Sequence, residues 1–343
     1  MRIVVVGAGG FVGGWICEEL AQQSDVTVVA QVRRWASAVR VARRGIPIVQ
    51  ADLENPAHLS ALLDRADAVV NASMPPPDRE ASVTSALYHA AARLGVRRFV
   101  QFSSAAVYGE RTGTVDETVP PAPLDDYSRG KVEMERLLVE AAERAQVPAV
   151  ILRPSIIYGP FSEAWTVGYV QRVAQGRWRG LGRAGTGICN LIHAHDVARA
   201  AMAAVAARIG SGAHVFNING PDLVTWNEYI ERLGDAMGAH ARSVPNPLYL
   251  LAMARTTALM RAGARAAVVR SLYRRSTGGA RDAFKAAQAV TRLYPSLNEL
   301  KLLRRRVRYA AGRASEALGF TPSVSLEQGI QQSVAWCRLH GVV

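Results

Sequence analysis

"IVVVGAGGFVG", Ile3 to Gly13, decides the fold. Its four opening residues are apolar and β-branched, the mark of a strand covered on both faces, as in a parallel sheet. The turn that follows carries glycine at 7, 10 and 13. Between a strand and a helix, such glycines allow a tight turn, close approach of the backbone to a pyrophosphate, and close packing of helix on strand. The run continues as "FVGGWICEEL", a helical pattern whose first N–H groups have no acceptor within the helix and suit an anion. A glycine-rich turn alone is weak. Placed after a first strand and before a first helix, this one predicts dinucleotide binding at Gly7, Gly10, Phe11, Val12 and Gly13.

Outward from this turn, strand and helix signals alternate. "VTVVA", "IPIVQ", "AVVNAS", "RRFVQFSS" and "AVILRPS" are short β-rich runs, and "AHLSALLDRA" and "ALYHAAARLG" are helical stretches between them. That alternation predicts an α/β fold, a Rossmann-type doubly wound parallel sheet. "HVFNI", His214 to Ile218, is expected to rejoin the sheet. The expected division is a dinucleotide-binding domain over 1–155 plus about 190–220, and a smaller, helix-rich substrate lobe over 156–189 and 221–343. No internal repeat interrupts this plan.

Bulk properties exclude several classes. The chain has 343 residues, 49% hydrophobic and 20% charged, an ordinary composition with room for a large core. The apolar run "PLYLLAMA", Pro247 to Ala254, stops at Arg255, well short of the ~20 residues that cross a bilayer. No signal peptide is expected, since Arg2 leads straight into a strand. Three scattered cysteines, Cys17, Cys189 and Cys337, do not make a disulfide framework or a zinc site. A reducing cytoplasm is the expected compartment.

The second strand selects the cofactor. A site for NAD carries a carboxylate about 20 residues past the glycine turn, on the ribose 2′-hydroxyl. Here Gln31 and Val32 stand at that place, and Arg33 and Arg34 follow. Guanidiniums there favour a 2′-phosphate. NADP is therefore expected, with NAD as the alternative. Asp52 and Leu53, past the third strand, are expected beside the adenine. Ala72, at the end of the fourth strand, is expected to line the same cofactor.

A second stretch, "DDYSRGKVEMERLL", places Tyr127 and Lys131 four residues apart, on one face of a helix. Read alone, they form a surface pair. Their setting changes that. "GAGGFVG", "ADL", "GVRRFVQFSSAAVYG", "DETVPPAPLDDYSRGK", "LRPSIIYGP", "NLIHAHDVARA", "FNINGPDLVTWNEYI" and "LGFTPSVSLEQGIQQSVAW" follow one another over nearly the whole chain. In their order and spacing the chain resembles the extended short-chain dehydrogenase/reductase family, the NAD(P)-dependent epimerase/dehydratase group. The resemblance implies a Tyr-x-x-x-Lys pair at Tyr127 and Lys131 and a catalytic hydroxyl at Ser104, four residues before the tyrosine of "VYG". It also implies that Lys131 binds the nicotinamide ribose. The chemistry suits those residue types. A free phenol, with a pKa of about 10, is a poor base at neutral pH. An ammonium nearby favours the phenolate, which can exchange a proton with a substrate oxygen.

Departures from the family narrow the reaction. Its 4,6-dehydratases carry Asp-Glu after the active-site hydroxyl; here Ala105 and Ala106 stand there, so dehydration is disfavoured. Its nucleotide-sugar members often carry an arginine before the Ile-His of "NLIHAHD", and an asparagine in the segment matching "RPSIIYG". Here the residues are Cys189, Asn190 and Leu191, and Ile156. The frequent asparagine of the helix before the fifth strand falls on Glu80. Asp116-Glu117 and His193 are expected to be structural. "MPPP", Met74 to Pro77, is expected to stiffen a loop beside the nicotinamide. The six tryptophans suggest packing and no stacking array.

These readings converge on an NADP-dependent oxidoreductase interconverting a ketone and a secondary alcohol by Ser-Tyr-Lys chemistry. Two alternatives stay open. One is an epimerase or reductase of a nucleotide-linked or glycan-related sugar; the other is a non-catalytic NADP-binding structural or regulatory protein. The expected partner is a small-molecule substrate; a homodimer is left open.

Charge adds one local feature. Between Ala241 and Ala310 lie thirteen arginines and two lysines against Asp282 and Glu299, which equals the whole chain's net charge of +13. Pro247 to Tyr273 reads as one or two helices, with Arg255, Arg261, Arg265, Arg270 and Arg274 opposite Met253, Met260, Ala264 and Val268. A solvated face, attraction of an anionic substrate, and peripheral contact with an anionic membrane are the competing readings. No nucleic-acid motif accompanies the charge.

Overall fold

The computed structural model describes residues 1–145, 147–176, 178, 181–239, 247–265, 279 and 294–343. The strands are β1 (Arg2–Val6), β2 (Thr27–Val32), β3 (Ile48–Gln50), β4 (Ala68–Asn71), β5 (Arg98–Phe102), β6 (Gly113–Val115), β7 (Ala149–Pro154), β8 (Ile156–Tyr158), β9 (Ile188–Cys189), β10 (Leu191–His193), β11 (Ala213–Ile218), β12 (Val224–Thr225) and β13 (Val307–Tyr309). The helices are α1 (Phe11–Leu20), α2 (Val39–Ala42), α3 (Pro56–Leu63), α4 (Pro77–Arg93), α5 (Asp126–Ala145), α6 (Gly168–Ala174), α7 (Ala194–Ala206), α8 (Trp226–Met237), α9 (Pro247–Arg265), α10 (Leu297–Leu302), α11 (Gly312–Leu318) and α12 (Leu326–Leu339).

Seven strands form one sheet in the order β11-β7-β5-β4-β1-β2-β3. All its pairings are parallel. "HVFNI" closes one edge, residue for residue beside β7. The apolar runs are buried on both faces because successive side chains point to opposite sides. Ile3 and Val5 pack with Ile16, Leu20 and Val197 on one face. Val4 and Val6 pack with Leu62, Leu87 and Leu138 on the other. Strand order reverses at β1, which pairs with both β2 and β4. In such sheets the ligand crevice lies beyond the carboxyl ends of the strands at that reversal.

The chain forms two compact units. The first is Met1–Tyr158, Asn190–Asp222 and Arg308–Leu326; the second is Gly159–Cys189, Leu223–Val307 and Glu327–Val343. The first unit thus includes 308–326, a stretch that the sequence reading assigned to the substrate lobe. The reason is a buried carboxylate. Asp196, on α7, accepts hydrogen bonds from the backbone N–H of Ser323 (3.0 Å) and Val324 (3.0 Å). Ala314, Leu318 and Phe320 join the core on the α7 face of the sheet.

The second unit has an aromatic core of its own. Tyr169 stacks on Trp226 at 5.7 Å and on Trp165 at 6.2 Å, and meets Trp178 edge-on at 5.9 Å. Three of the six tryptophans thus cluster, contrary to the absence of an array expected from the sequence. Trp178 and Trp226 are fully buried, so the cluster is packing. Arg172 lies 4.7 Å over the Trp178 ring and pairs with Glu299 at 2.5 Å. Glu299 also closes a capping box with Ser296 at the start of α10.

Helix α9 differs from the wheel drawn on the sequence. Its buried stripe is Leu250, Ala254 and Thr257, and Met260 is exposed beside Leu259. Met253, also expected on the packed side, is half-buried. The side chains expected at Arg261, Ala264, Arg265, Val268, Arg270 and Arg274 lie outside the described ones. No described helix is long and apolar enough to cross a membrane.

Candidate active site

The glycine turn is built by close contacts that a side chain would break. Gly7 has φ +76°, and a Cβ there would lie 2.7 Å from the backbone of Ser73. A Cβ on Gly13 would lie 2.3 Å from the Gly7 carbonyl oxygen. Gly10 is the N-cap of α1 and donates its own N–H to the Gly7 carbonyl at 2.9 Å. The first turn of α1 contains no acidic residue and no side-chain cap. The N–H groups of Phe11 and Val12 therefore have neither an intrahelical acceptor nor a capping side chain, a fit for a pyrophosphate. Ala72 lies against β1, donating its N–H to the Val6 carbonyl at 3.0 Å.

Gln31 proves to be part of this turn. It is buried, accepts the Gly7 N–H at 2.9 Å and donates to the Ala51 carbonyl at 2.7 Å. The residue at the carboxylate's expected place is thus spent on holding the loop. Arg33 and Arg34 follow, exposed and without an ion pair among the described residues. The same connection passes next to the glycine turn, since a Cβ on Gly9 would lie 2.7 Å from the backbone and hydroxyl of Ser37. Asp52, exposed after β3, donates its N–H to His58 and accepts from Glu54 N–H through its carboxylate. Leu53 beside it is half-buried and packs on the α3–α4 side of the core.

Ser104 ends the strand β5 segment and caps a short 3-10 turn, Ala105–Tyr108, its Oγ accepting the Ala106 N–H at 3.1 Å. Tyr127 and Lys131 stand one turn apart in α5, which begins at Asp126. Tyr127 is 37% exposed, while Lys131 is 3% exposed. The Lys131 ammonium lies 5.7 Å from the Tyr127 ring centroid. It donates to the Phe102 carbonyl at 3.1 Å, two residues before Ser104. Its other partner is Glu80 Oε1 at 2.5 Å. An ammonium has three donors; two are used.

One helical turn further along α5, Glu135 ties the helix to the sheet. Arg153 in β7 donates to it twice, at 2.9 and 2.5 Å, and to the Tyr108 hydroxyl at 2.7 Å. Tyr108 in turn donates to Asn217 Oδ1 at 2.8 Å. Burial pushes the Tyr108 phenol's pKa up, against the pull of Arg153. The tyrosine of "VYG" is thus a bolt joining the Ser104 turn, α5, β7 and β11. His193 serves structure too: it caps α7 through its Nδ1, and burial lowers its pKa to about 4. Cys189 and Asn190 are buried. Among the described residues no group of His, Cys, Asp or Glu could hold a metal.

Sequence reasoning named Gln31 for the carboxylate it replaces and not for its hold on the loop, underrated Glu80, and passed over Arg153. A polar residue inside an apolar β run was the available signal for Gln31 and Arg153.

A doubly wound sheet with this glycine turn at its reversal, and with Tyr-x-x-x-Lys on the helix beside β5, defines a nicotinamide-dependent enzyme of the extended short-chain dehydrogenase type. Residues 3–219 match the model of the NAD dependent epimerase/dehydratase family, and the chain belongs to that family. Over 183 residues it is 26% identical to an uncharacterised UDP-glucose epimerase, YtcB, of Bacillus subtilis, covering 47% of this chain and 58% of that protein. Over 265 residues it is 26% identical to the 3beta-hydroxysteroid-dehydrogenase/decarboxylase isoform 1 of Arabidopsis thaliana, covering 73% of this chain and 55% of that one. The chain thus spans little more than half the length of these two relatives. The structure of a UDP-glucuronic acid 4-epimerase from Bacillus cereus in complex with NAD superposes with a TM-score of 0.74 at 20% identity, over 99% of both chains.

Proposed function

We propose that this chain interconverts a secondary alcohol and a ketone with NADP(H), using Tyr127 as the general acid/base. The observation that carries the reading is Lys131, buried beside Tyr127 and held to the Phe102 carbonyl two residues before Ser104. In the oxidative direction the substrate hydroxyl gives its proton to the Tyr127 phenolate, while Ser104 holds the same oxygen. The nicotinamide, when bound, supplies the hydride chemistry. The third donor of Lys131 is suited to a ribose hydroxyl of the cofactor. Arg33 and Arg34, without ion pairs among the described residues, support a 2′-phosphate. Ala105 and Ala106 offer no acid or base for eliminating water.

A second reading is epimerisation of a nucleotide-linked sugar, in which one carbon is oxidised and re-reduced in place. The UDP-sugar epimerases among the relatives favour it. The absence of an arginine at Cys189–Leu191 weighs against it.

One experiment separates the two. The protein is incubated with NADP(H) and panels of UDP-sugars and of steroid ketones and alcohols, with nicotinamide absorbance and product NMR followed together. Stoichiometric change of the nicotinamide supports the oxidoreductase; product without net change supports the epimerase. Tyr127→Phe keeps cofactor binding and loses ~10²–10⁴-fold in turnover. Turnover in that variant within a few-fold of wild type would refute the mechanism, and bound cofactor with no turnover on any substrate would favour a binding protein.

A further inference from the structure

Helices α4 and α5 meet backbone to backbone near their starts. A Cβ on Gly130 would lie 2.7 Å from the Pro77 carbonyl oxygen and 3.1 Å from its Cα. That contact seats Glu80, in the first turn of α4, against Lys131. Glu80 is 1% exposed. Its Oε1 takes the Lys131 ammonium, and its Oε2 is buried with no hydrogen-bond partner among the described residues. A buried carboxylate oxygen left unsatisfied is a cost to stability, and a well-packed apolar residue of similar volume often serves such a place as well or better. The other charged groups at the two helix starts are engaged elsewhere or lie in solvent. Arg79 pairs with Glu54, Arg129 pairs with Asp126, Asp125 accepts from Ser128, and Asp78 is exposed. Glu80 is the carboxylate that meets Lys131.

We infer that Glu80 is a positioning residue that fixes Lys131 and offsets its charge, and so sets the pH at which Tyr127 gives up its proton. The inference rests on the reading of Tyr127 as the acid/base. Lys131 alone would favour the phenolate; a carboxylate in contact with the ammonium cancels much of that field at the phenol. The pair is neutral as a whole. Its second task is geometric: with one N–H on Glu80 and one on Phe102, the third has a fixed direction.

The test reads Tyr127 directly and needs no substrate. Phenolate absorbance is titrated against pH in each protein and in its Tyr127→Phe counterpart, and the difference isolates Tyr127. Glu80→Gln keeps the shape and removes the charge. It is expected to move the Tyr127 transition down by about one pH unit, the lower end of what a single nearby charge achieves. Glu80→Asp keeps the charge and is expected to stay near the wild-type position. A Glu80→Gln titration that overlays the wild type overturns the inference, as does a Glu80→Asp shift as large as that of Glu80→Gln. Should Glu80→Gln fail to fold, Lys131→Met carries the test. Left buried without its partner, Glu80 must take up a proton. A protonated-carboxyl infrared band is then expected in Lys131→Met and not in Lys131→Met/Glu80→Gln; its absence overturns the assignment. Failure of the proposed reaction is distinguishable, because a protein that shows the titration shift but turns nothing over refutes the reaction alone.

Discussion

Replacing Arg153 by methionine isolates what the buried bolt contributes. Arg153 and Glu135 are both 5% exposed. The arginine makes two hydrogen bonds to the carboxylate and one to Tyr108. Arg153→Met removes all three and leaves Glu135 charged, buried and unpaired. Breaking a buried pair from one side costs about 3–5 kcal/mol, against a total stability of roughly 5–15 kcal/mol for a folded protein. Replacing both partners by apolar residues of similar size is often neutral, so Arg153→Met/Glu135→Leu should recover most of the loss. The single variant also carries a sign in pH. Its orphaned Glu135 binds a proton more readily folded than unfolded, so its deficit is full at neutral pH and shrinks as the pH falls. Urea unfolding followed by far-UV circular dichroism, over a pH series, measures both effects. A single variant within about 1 kcal/mol of wild type at neutral pH, or a double variant as weak as the single, would refute the reasoning.

If Arg33 and Arg34 read a 2′-phosphate, calorimetric titration should show tighter binding of NADP(H) than NAD(H), and Arg33→Ala/Arg34→Ala should remove the difference. Equal affinities in the wild type would mean that the arginines do not read a 2′-phosphate. The exposed side of α9 carries Leu248, Leu259 and Met260 in the segment that holds the chain's net positive charge, so anionic vesicles should retain the protein at low salt and release it at high salt. Neutral vesicles should not retain it, and no retention by anionic vesicles at low salt eliminates a membrane contact.

The seven-stranded sheet was readable because its strands are local apolar runs with a clear partner rule. Gly10 and Gly13 were readable because they pack on Gly7 within one turn, whereas the close approach of Gly7 to Ser73 joins residues far apart in the chain. Tyr127 and Lys131 were readable as a pair through helical spacing, but their setting was not. Lys131 meets Glu80 fifty-one positions away, and Arg153 reaches the Tyr108 hydroxyl across forty-five. No local period encodes either. On α9 the wheel placed Met260 on the packed side, but the buried stripe runs through Leu250, Ala254 and Thr257 and leaves Met260 exposed.

The order in which the pieces leave the ribosome follows from the division of the chain. It passes between the two units five times. All seven strands of the main sheet are made by Ile218, yet Ala314, Leu318 and Phe320, which finish the core on the α7 face, come nearly a hundred residues later. A nascent chain therefore holds a complete sheet with one side of its core unsealed while the whole basic segment is synthesised. Truncation anywhere in that interval leaves Phe216 without its late partners and makes the fragment a client for chaperones. For the same reason the second unit cannot be exchanged between relatives at a single junction. Five joints must match at once, so specificity is expected to change here by substitution in place.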